Sequence, residues 1–172
     1  KKNTMSSLVR VAEEKDFPQI LAIWQEGIIE TFPEIGVTDK MLQKFKNNFS
    51  QREAHHFWIA EDEDIILGWQ SYLPCTNNPV KAELYAEGST YIQKNYRGKG
   101  VAFKLYRAAL NYLKNHTNIM YIFGFVAPDN EPAFKIAHAF GFNKIGLIEG
   151  KAKGIHKIDT KIFVVNHLDK DY

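Results

Sequence analysis

Arg97-Gly98-Lys99-Gly100-Val101-Ala102 puts two glycines between cationic side chains at the head of an amphipathic pattern. A glycine-rich turn entering a helix aims several backbone N–H groups at one point, and the helix dipole adds positive potential there. The chemistry this suits is anion binding, of the kind that holds the phosphates of a small cofactor. The surrounding stretch agrees: from Gly88 to Pro128 there is no Asp or Glu, while Lys94, Arg97, Lys99, Lys104, Arg107 and Lys114 all fall within it. With 22 basic and 20 acidic residues, the chain is only +2 overall, so this imbalance is local.

Spacing excludes two common phosphate loops. A Walker loop needs a hydroxyl residue after its Gly-Lys, and Gly98-Lys99-Gly100 lacks both that hydroxyl and the glycine spacing. A dinucleotide fingerprint needs a third glycine where Phe103 stands, and an acid about 20 residues on. What remains is Arg97-x-x-Gly100-x-Ala102, with small residues where a diphosphate would approach the backbone. A tight turn before a solvated basic helix face is the plain alternative, and a lone Gly-x-Gly would favour it. A second constellation, Asn130-Glu131-Pro132-Ala133 followed by Gly141-Phe142, shifts the balance toward an anion site.

Elements must position these residues. Leu8–Glu13 reads as a strand, and Asp16 as the cap of a helix carrying Ile20, Ile23, Trp24, Gly27 and Ile28 at helical spacing. Thr31–Val37 is a loop, and Thr38 caps a second helix to about Phe49 with Met41, Leu42 and Phe45 inward. Phe57–Ala60 and Ile65–Leu73 form a hairpin across the acidic turn Glu61–Asp64. Pro74–Val80 is a loop and Glu83–Gln93 a strand. Lys99–Lys114 is a helix with Val101, Leu105, Ala108, Ala109 and Tyr112 on its apolar face. Ile119–Val126, almost unbroken apolar residues, predicts a strand covered on both faces. Asn130–Phe140 is a helix stopped by Gly141; Phe142–Glu149 and Ile155–Val165 are closing strands. The strand–helix–strand unit from Glu83 to Val126 predicts a right-handed crossover with parallel strands, beside an antiparallel hairpin. The fold class is therefore α/β with a mixed sheet, and the glycine turn falls at the carboxyl end of a parallel strand.

At 172 residues the chain suits one domain, assigned to 8–172 after a tail or cloning remnant over 1–7. Its single cysteine, Cys75, excludes an internal disulfide and argues against a thiolate metal site. His55 and His56 are adjacent, pointing to opposite strand faces, so no metal site is expected. No apolar run reaches spanning length and no signal peptide is evident, so a cytoplasmic location and no membrane partner are expected.

Taken together, Arg97-x-x-Gly100-x-Ala102, Asn130-x-x-Ala133 and Gly141-Phe142 resemble the GCN5-related N-acetyltransferase (GNAT) superfamily. The likeness is closest to its phosphinothricin-type amino-acid acetyltransferases. Asp16 to Ile20, Gly68-Trp69 with Pro74, Glu87-Gly88-Ser89-Thr90-Tyr91-Ile92 and Gly154-Ile155-His156-Lys157-Ile158-Asp159 are similar to further segments of that type. The resemblance spans Val9 to about Leu168. It implies a single GNAT-like domain: a central, mostly antiparallel sheet with one parallel pair, flanked by about four helices.

It further implies acetyl-CoA as cosubstrate and a small primary amine, an amino acid or analogue, as acceptor. Backbone N–H groups of Gly98, Lys99, Gly100, Val101 and Ala102 would hold the pyrophosphate, with Arg97, Lys99 or Lys104 near other phosphates. Tyr91 and Ile92 would pair with the pantetheine amides, an N–H near Ile92 would polarise the thioester carbonyl, and Asn130 and Ala133 would line the cofactor arm. Glu87 is the candidate general base: a mid-strand carboxylate between Ala86 and Gly88 is costly unless its face opens on water or a cleft. From the strand alone a solvated sheet-face acid is as good a reading; the resemblance tips it toward catalysis.

One position departs from the pattern. Relatives place Tyr or His seven residues after the Asn, where this chain has Ala137, followed by His138. One helical step turns a side chain by about 100°, so His138 is a second catalytic candidate that does not simply inherit the role. Phe32 and Tyr72 are expected to shape the substrate pocket, walled by Thr31–Val37, Pro74–Val80 and Gly150–Ile155. A catalytically weakened acyl-CoA-binding protein stays open because of Ala137, as do polyamine, antibiotic or protein amine acceptors. A nucleic-acid partner is not expected, because the basic residues are few and the net charge is near zero. Homodimers are common among relatives, and the sequence neither supports nor opposes one.

Overall fold

Period-two and period-3.6 stretches alternate along the chain, and the elements follow them. A computed structural model describes residues 7–149 and 161–169. In order these are β1 (Leu8–Val11), α1 (Phe17–Thr31), α2 (Asp39–Ser50), β2 (Trp58–Asp62), β3 (Ile65–Pro74), β4 (Tyr85–Ile92), α3 (Val101–His116), β5 (Tyr121–Val126), α4 (Glu131–Ala139), β6 (Asn143–Ile148) and β7 (Lys161–His167). The fold class is the mixed α/β one expected: a seven-stranded sheet whose one parallel pair is β4–β5, with four helices among the described residues. The chain forms two compact units: residues up to Leu73 with Ser89–Ala109, and Pro74–Gly88 with residues from Leu110 on.

The first unit carries the strand order β1-β2-β3-β4, α1, α2 and the opening of α3. β1 and β2 pair antiparallel, Val11 opposite Trp58. The hairpin turn is tighter than expected. Glu61 and Asp62 stay in β2, and only Glu63 and Asp64 turn the chain, at φ 46° and 68°. Two consecutive positive φ values are what a two-residue turn needs to match strand twist. Its core is aromatic: Trp24 stacks on Phe45 at 4.4 Å, Phe57 on Trp69 at 5.5 Å, and Trp69 on Tyr91 at 4.8 Å.

Two expectations fail in this unit. Asp16 stands at the N-cap of α1, but its side chain makes no cap hydrogen bond. Its carboxylate instead accepts from Arg10 at 2.8 and 3.0 Å and from the Glu13 N–H at 2.7 Å. Two bonds between a guanidinium and a carboxylate, both fully charged, outweigh a single cap bond from a backbone N–H. Tyr72 does not line an open pocket: it is 2% exposed, and its hydroxyl donates to Gln70 Oε1 at 3.0 Å. Thr38 does cap α2, accepting from Met41 N–H at 3.3 Å.

The second unit has the order β4-β5-β7-β6. β4 and β5 run parallel, Tyr85 opposite Tyr121 and Glu87 opposite Phe123. β7 pairs antiparallel with both β5 and β6. Its described part begins at Lys161; the rest of the closing strand expected from Ile155 lies outside the described residues. β5 is not covered on both faces. Ile122 and Gly124 are buried, whereas Tyr121 and Phe123 are half-buried and Phe125 is exposed. Stacking on its neighbours explains the aromatic run instead, Tyr121 on His167 and both Phe123 and Phe125 on Phe163.

Along α3 the buried stripe is Val101, Leu105, Ala109, Leu110 and Leu113. Each four-residue step advances the stripe by about 40°, which carries Leu113 inward and leaves Tyr112 exposed against His116, contrary to the sequence reading. Gly141, at φ 91°, ends α4 as expected.

Candidate active site

Gly98 and Gly100 stand at φ 72° and 82°, left-handed values that a side chain resists. A Cβ built on either would meet no atom within 4 Å, so open space lies in front of the backbone at both. The first helical bond of α3 runs from Lys104 N–H to Gly100 C=O, 3.2 Å, which makes Gly100 the N-cap. Having no side chain, that residue cannot supply the acceptor a Ser, Asn or Asp would offer to the first N–H groups of the helix. A helix start of this make-up is suited to an anion arriving from outside the chain.

The strand leading to the turn is held by close packing. Tyr91 lies with its ring between Trp69 and Gly27; a Cβ on Gly27 would come 2.7 Å from the ring. Its ring is therefore spent on the core, and the backbone is what Tyr91 can offer a ligand. At Gly68 of β3 a Cβ would fall 2.9 Å from the Tyr91 carbonyl oxygen and 3.2 Å from Ile92 Cα, so only glycine lets β4 come this close. Gln93 N–H donates to Leu67 C=O at 2.9 Å and closes the strand end. On the opposite face, Tyr72, Gln70, Thr90 and Tyr106 form a chain of hydrogen bonds at 3.0, 3.0 and 3.4 Å. Burial raises the Tyr72 hydroxyl well above its usual range and raises Tyr106 as well, so both stay protonated donors.

The cations of the turn are already engaged. Arg97 Nη2 lies 2.6 Å from Glu30 Oε2, and Arg97 Nε donates to Ile92 C=O at 3.2 Å. Lys99 Nζ sits 5.3 Å above the Tyr96 ring, and Lys104 Nζ donates to Ser7 Oγ at 2.8 Å. The local excess of positive charge is thus smaller than the sequence implies, since Glu30 comes from outside the acid-free stretch.

In the second unit Glu87 is exposed on β4 next to buried Ala86. The Cys75 thiol is raised by partial burial and further by the Glu87 carboxylate, which keeps it protonated and unsuited to act as a nucleophile. Asn130 begins α4, its Oδ1 accepting from Ala133 N–H at 3.2 Å. Ala137, the departing position, is 3% exposed, while His138 is exposed with Nδ1 3.3 Å from Phe142 O. A carbonyl partner assigns the proton to Nδ1 and leaves Nε2 as the nitrogen that can exchange one. Among the described residues no group of three or more His, Cys, Asp or Glu could hold a metal ion, and no helix is long and apolar enough to cross a membrane.

Tyr91, Ile92 and Arg97–Ala102 therefore share the first unit, while Glu87, Asn130, Ala133 and His138 belong to the second. The Gly154–Asp159 segment and the Gly150–Ile155 wall lie outside the described residues. Sequence reasoning missed Glu30 and the Gln70–Thr90–Tyr106 chain, and it placed Gly27 on the apolar face of α1 without its contact to Tyr91. Only the Gly68-Trp69 pair carried a local signal, a small residue beside a large one within an apolar run.

Residues 17–142 match the acetyltransferase (GNAT) family. YwnH of Bacillus subtilis (strain 168), named as a candidate phosphinothricin acetyltransferase, is 29% identical over 147 residues, 84% of this chain and 89% of that protein. Among solved structures, a candidate phosphinothricin N-acetyltransferase is 27% identical with a TM-score of 0.78, over 96% of this chain and 100% of that one. A GNAT phosphinothricin acetyltransferase from Sinorhizobium meliloti, solved in complex with acetyl-CoA, shares the fold at TM-score 0.80 and 18% identity, over 95% of this chain and 89% of that one.

Proposed function

Because this chain belongs to the acetyltransferase (GNAT) family, we propose that it moves the acetyl group of acetyl-CoA directly to the primary amine of a small molecule, an amino acid or analogue. One observation carries the cosubstrate: a left-handed glycine turn, open in front, feeding a helix whose N-cap has no side chain. The names of the similar proteins support the acceptor class.

Backbone N–H groups from Gly98 to Ala102 take the diphosphate. The Tyr91 and Ile92 backbone, pressed against Gly68, orients the pantetheine arm, and an N–H near Ile92 faces the carbonyl oxygen. Asn130 keeps its Oδ1 on Ala133 N–H and offers Nδ2 as a donor to an amide carbonyl of that arm. Bound there, acetyl-CoA supplies a thioester carbonyl open to attack by a neutral amine. Glu87 removes the ammonium proton, directly or through one water. As the C–N bond forms the C–S bond would break, and coenzyme A would leave as a thiolate. That thiolate takes up the proton shed by the acylated nitrogen, with His138 Nε2 the second group able to carry it. Much of the acceleration comes from holding the two reactants in line.

Thiol release, measured over amino acids, polyamines and aminoglycosides, tests the reading. Amino acids are expected to release thiol fastest. Glu87→Gln lowers kcat by roughly 10²- to 10⁴-fold, with calorimetric acetyl-CoA binding unchanged. Binding without thiol release from any amine would make the chain an acyl-CoA-binding protein, the reading that Ala137 favours.

A further inference from the structure

The last turns of α1 hold the segment that joins the end of β4 to the glycine turn. Glu26 and Glu30, four residues apart and so on one helix face, reach it at two points. Glu26 Oε2 accepts from Lys94 N–H at 3.3 Å, and Glu30 Oε2 from Arg97 Nη2 at 2.6 Å. The same guanidinium turns back, Nε donating to Ile92 C=O at 3.2 Å. One planar group thus spans the residue that ends the strand and a carboxylate on the helix.

Resting on the function proposed above, we propose that Arg97 serves acetyl-CoA as a positioning residue, clamped by Glu30, rather than as a phosphate ligand. Three considerations carry this. Both side chains are 42% exposed, so as an ion pair they add little stability, and what the contact supplies is geometry. The carboxylate already matches the guanidinium charge and would repel a phosphate brought to the same nitrogen. The bond to Ile92 fixes the carbonyl of a residue whose backbone neighbours the reacting thioester in the proposed site. Arg97, held above its ordinary range first by the Glu30 hydrogen bond, keeps its charge throughout. Lysine has no fork and cannot make both bonds.

A double-mutant cycle on the full chain tests it, with Kd for acetyl-CoA and for its 3′-dephospho form, KM, kcat and Tm as readouts. Glu30→Gln, Arg97→Lys and Arg97→Ala are each expected to weaken acetyl-CoA binding roughly tenfold. The Glu30→Gln/Arg97→Ala pair is expected to be no worse than either single change. KM rises, kcat at saturating cosubstrate holds, Tm barely moves, and the loss is the same for the dephospho form. The clamp is overturned if Glu30→Gln leaves or improves affinity while Arg97→Ala weakens it, or if the Arg97→Ala loss disappears with the dephospho form. Those results would place the guanidinium on a phosphate. A wild-type chain that binds no acetyl-CoA is a different failure: it removes the proposed function and the clamp's premise with it.

Discussion

The two later helices begin in opposite ways. α4 starts on Asn130, whose side chain accepts from the N–H three residues on, so this start is partly satisfied from within. α3 starts on Gly100, which brings a left-handed turn and no side-chain acceptor. α2 follows the α4 pattern through Thr38, and α1 has Asp16 at the same place with its carboxylate committed elsewhere. A glycine at the helix start gives up only a few tenths of a kcal/mol relative to a capping side chain, so leaving it bare costs the fold little. Keeping it bare makes sense where a ligand's anion completes it.

The contrast breaks most sharply at the glycines. Gly100→Ala is expected to weaken acetyl-CoA binding roughly 10- to 100-fold, because either φ relaxes and the N–H groups turn away, or the methyl occupies the open space. Gly36, at φ 64° and also without neighbours within 4 Å of an added Cβ, is the control. Gly36→Ala should cost about 1 kcal/mol of stability and leave affinity alone. Equal losses of affinity would mean that the turn matters only as backbone strain.

Asp16 sharpens the case of α1. It is 4% exposed; burial pushes its carboxyl up, but the Arg10 hydrogen bonds, the Glu13 N–H and the Arg10 charge pull harder, leaving it below the usual range. Arg10 lowers Glu61 too. A carboxyl lowered in the folded state binds fewer protons there than when unfolded. Its stabilisation is complete above the unfolded value, near pH 4, and is lost as pH falls through the folded one. Asp16→Asn is expected to cost about 2 kcal/mol at neutral pH and to flatten the fall of Tm below pH 4. A Tm profile unchanged by the substitution would show that the cluster contributes nothing.

The smallest effect separates two roles of Asn130. Asn130→Ala should lower stability by about 1 kcal/mol. Asn130→Asp keeps the capping oxygen and loses the Nδ2 donor, so Tm should recover while KM for acetyl-CoA stays raised roughly 2- to 10-fold. Recovery of both would leave Asn130 as a cap and nothing more.

Much of this was legible before any coordinates. The glycine turn, the Thr38 cap, the Gly141 stop, the antiparallel hairpin and the parallel β4–β5 pair all depend on neighbours within a few residues or on one connection. The misreadings share the opposite property. Asp16 looked like a cap because Arg10 and Glu61, one of them 45 residues away, are invisible in a local window. Tyr72 looked available for a pocket because its partner Gln70 leads on to Thr90 across the sheet. β5 looked doubly covered because stacked half-exposed aromatics and buried apolar residues spell the same run of letters.

Residue order alone was enough to specify the left-handed turn at Gly98 and Gly100 that leads into α3, since backbone conformation there follows from glycine's missing Cβ. It could not specify that Arg97 is matched by Glu30, that Gly68 lets the Tyr91–Ile92 backbone approach, or that Ala137 turns inward while His138 turns out. Those facts depend on which side chains the folded chain brings within a few ångströms across long stretches of sequence, and short-range interactions are felt only once those distances close.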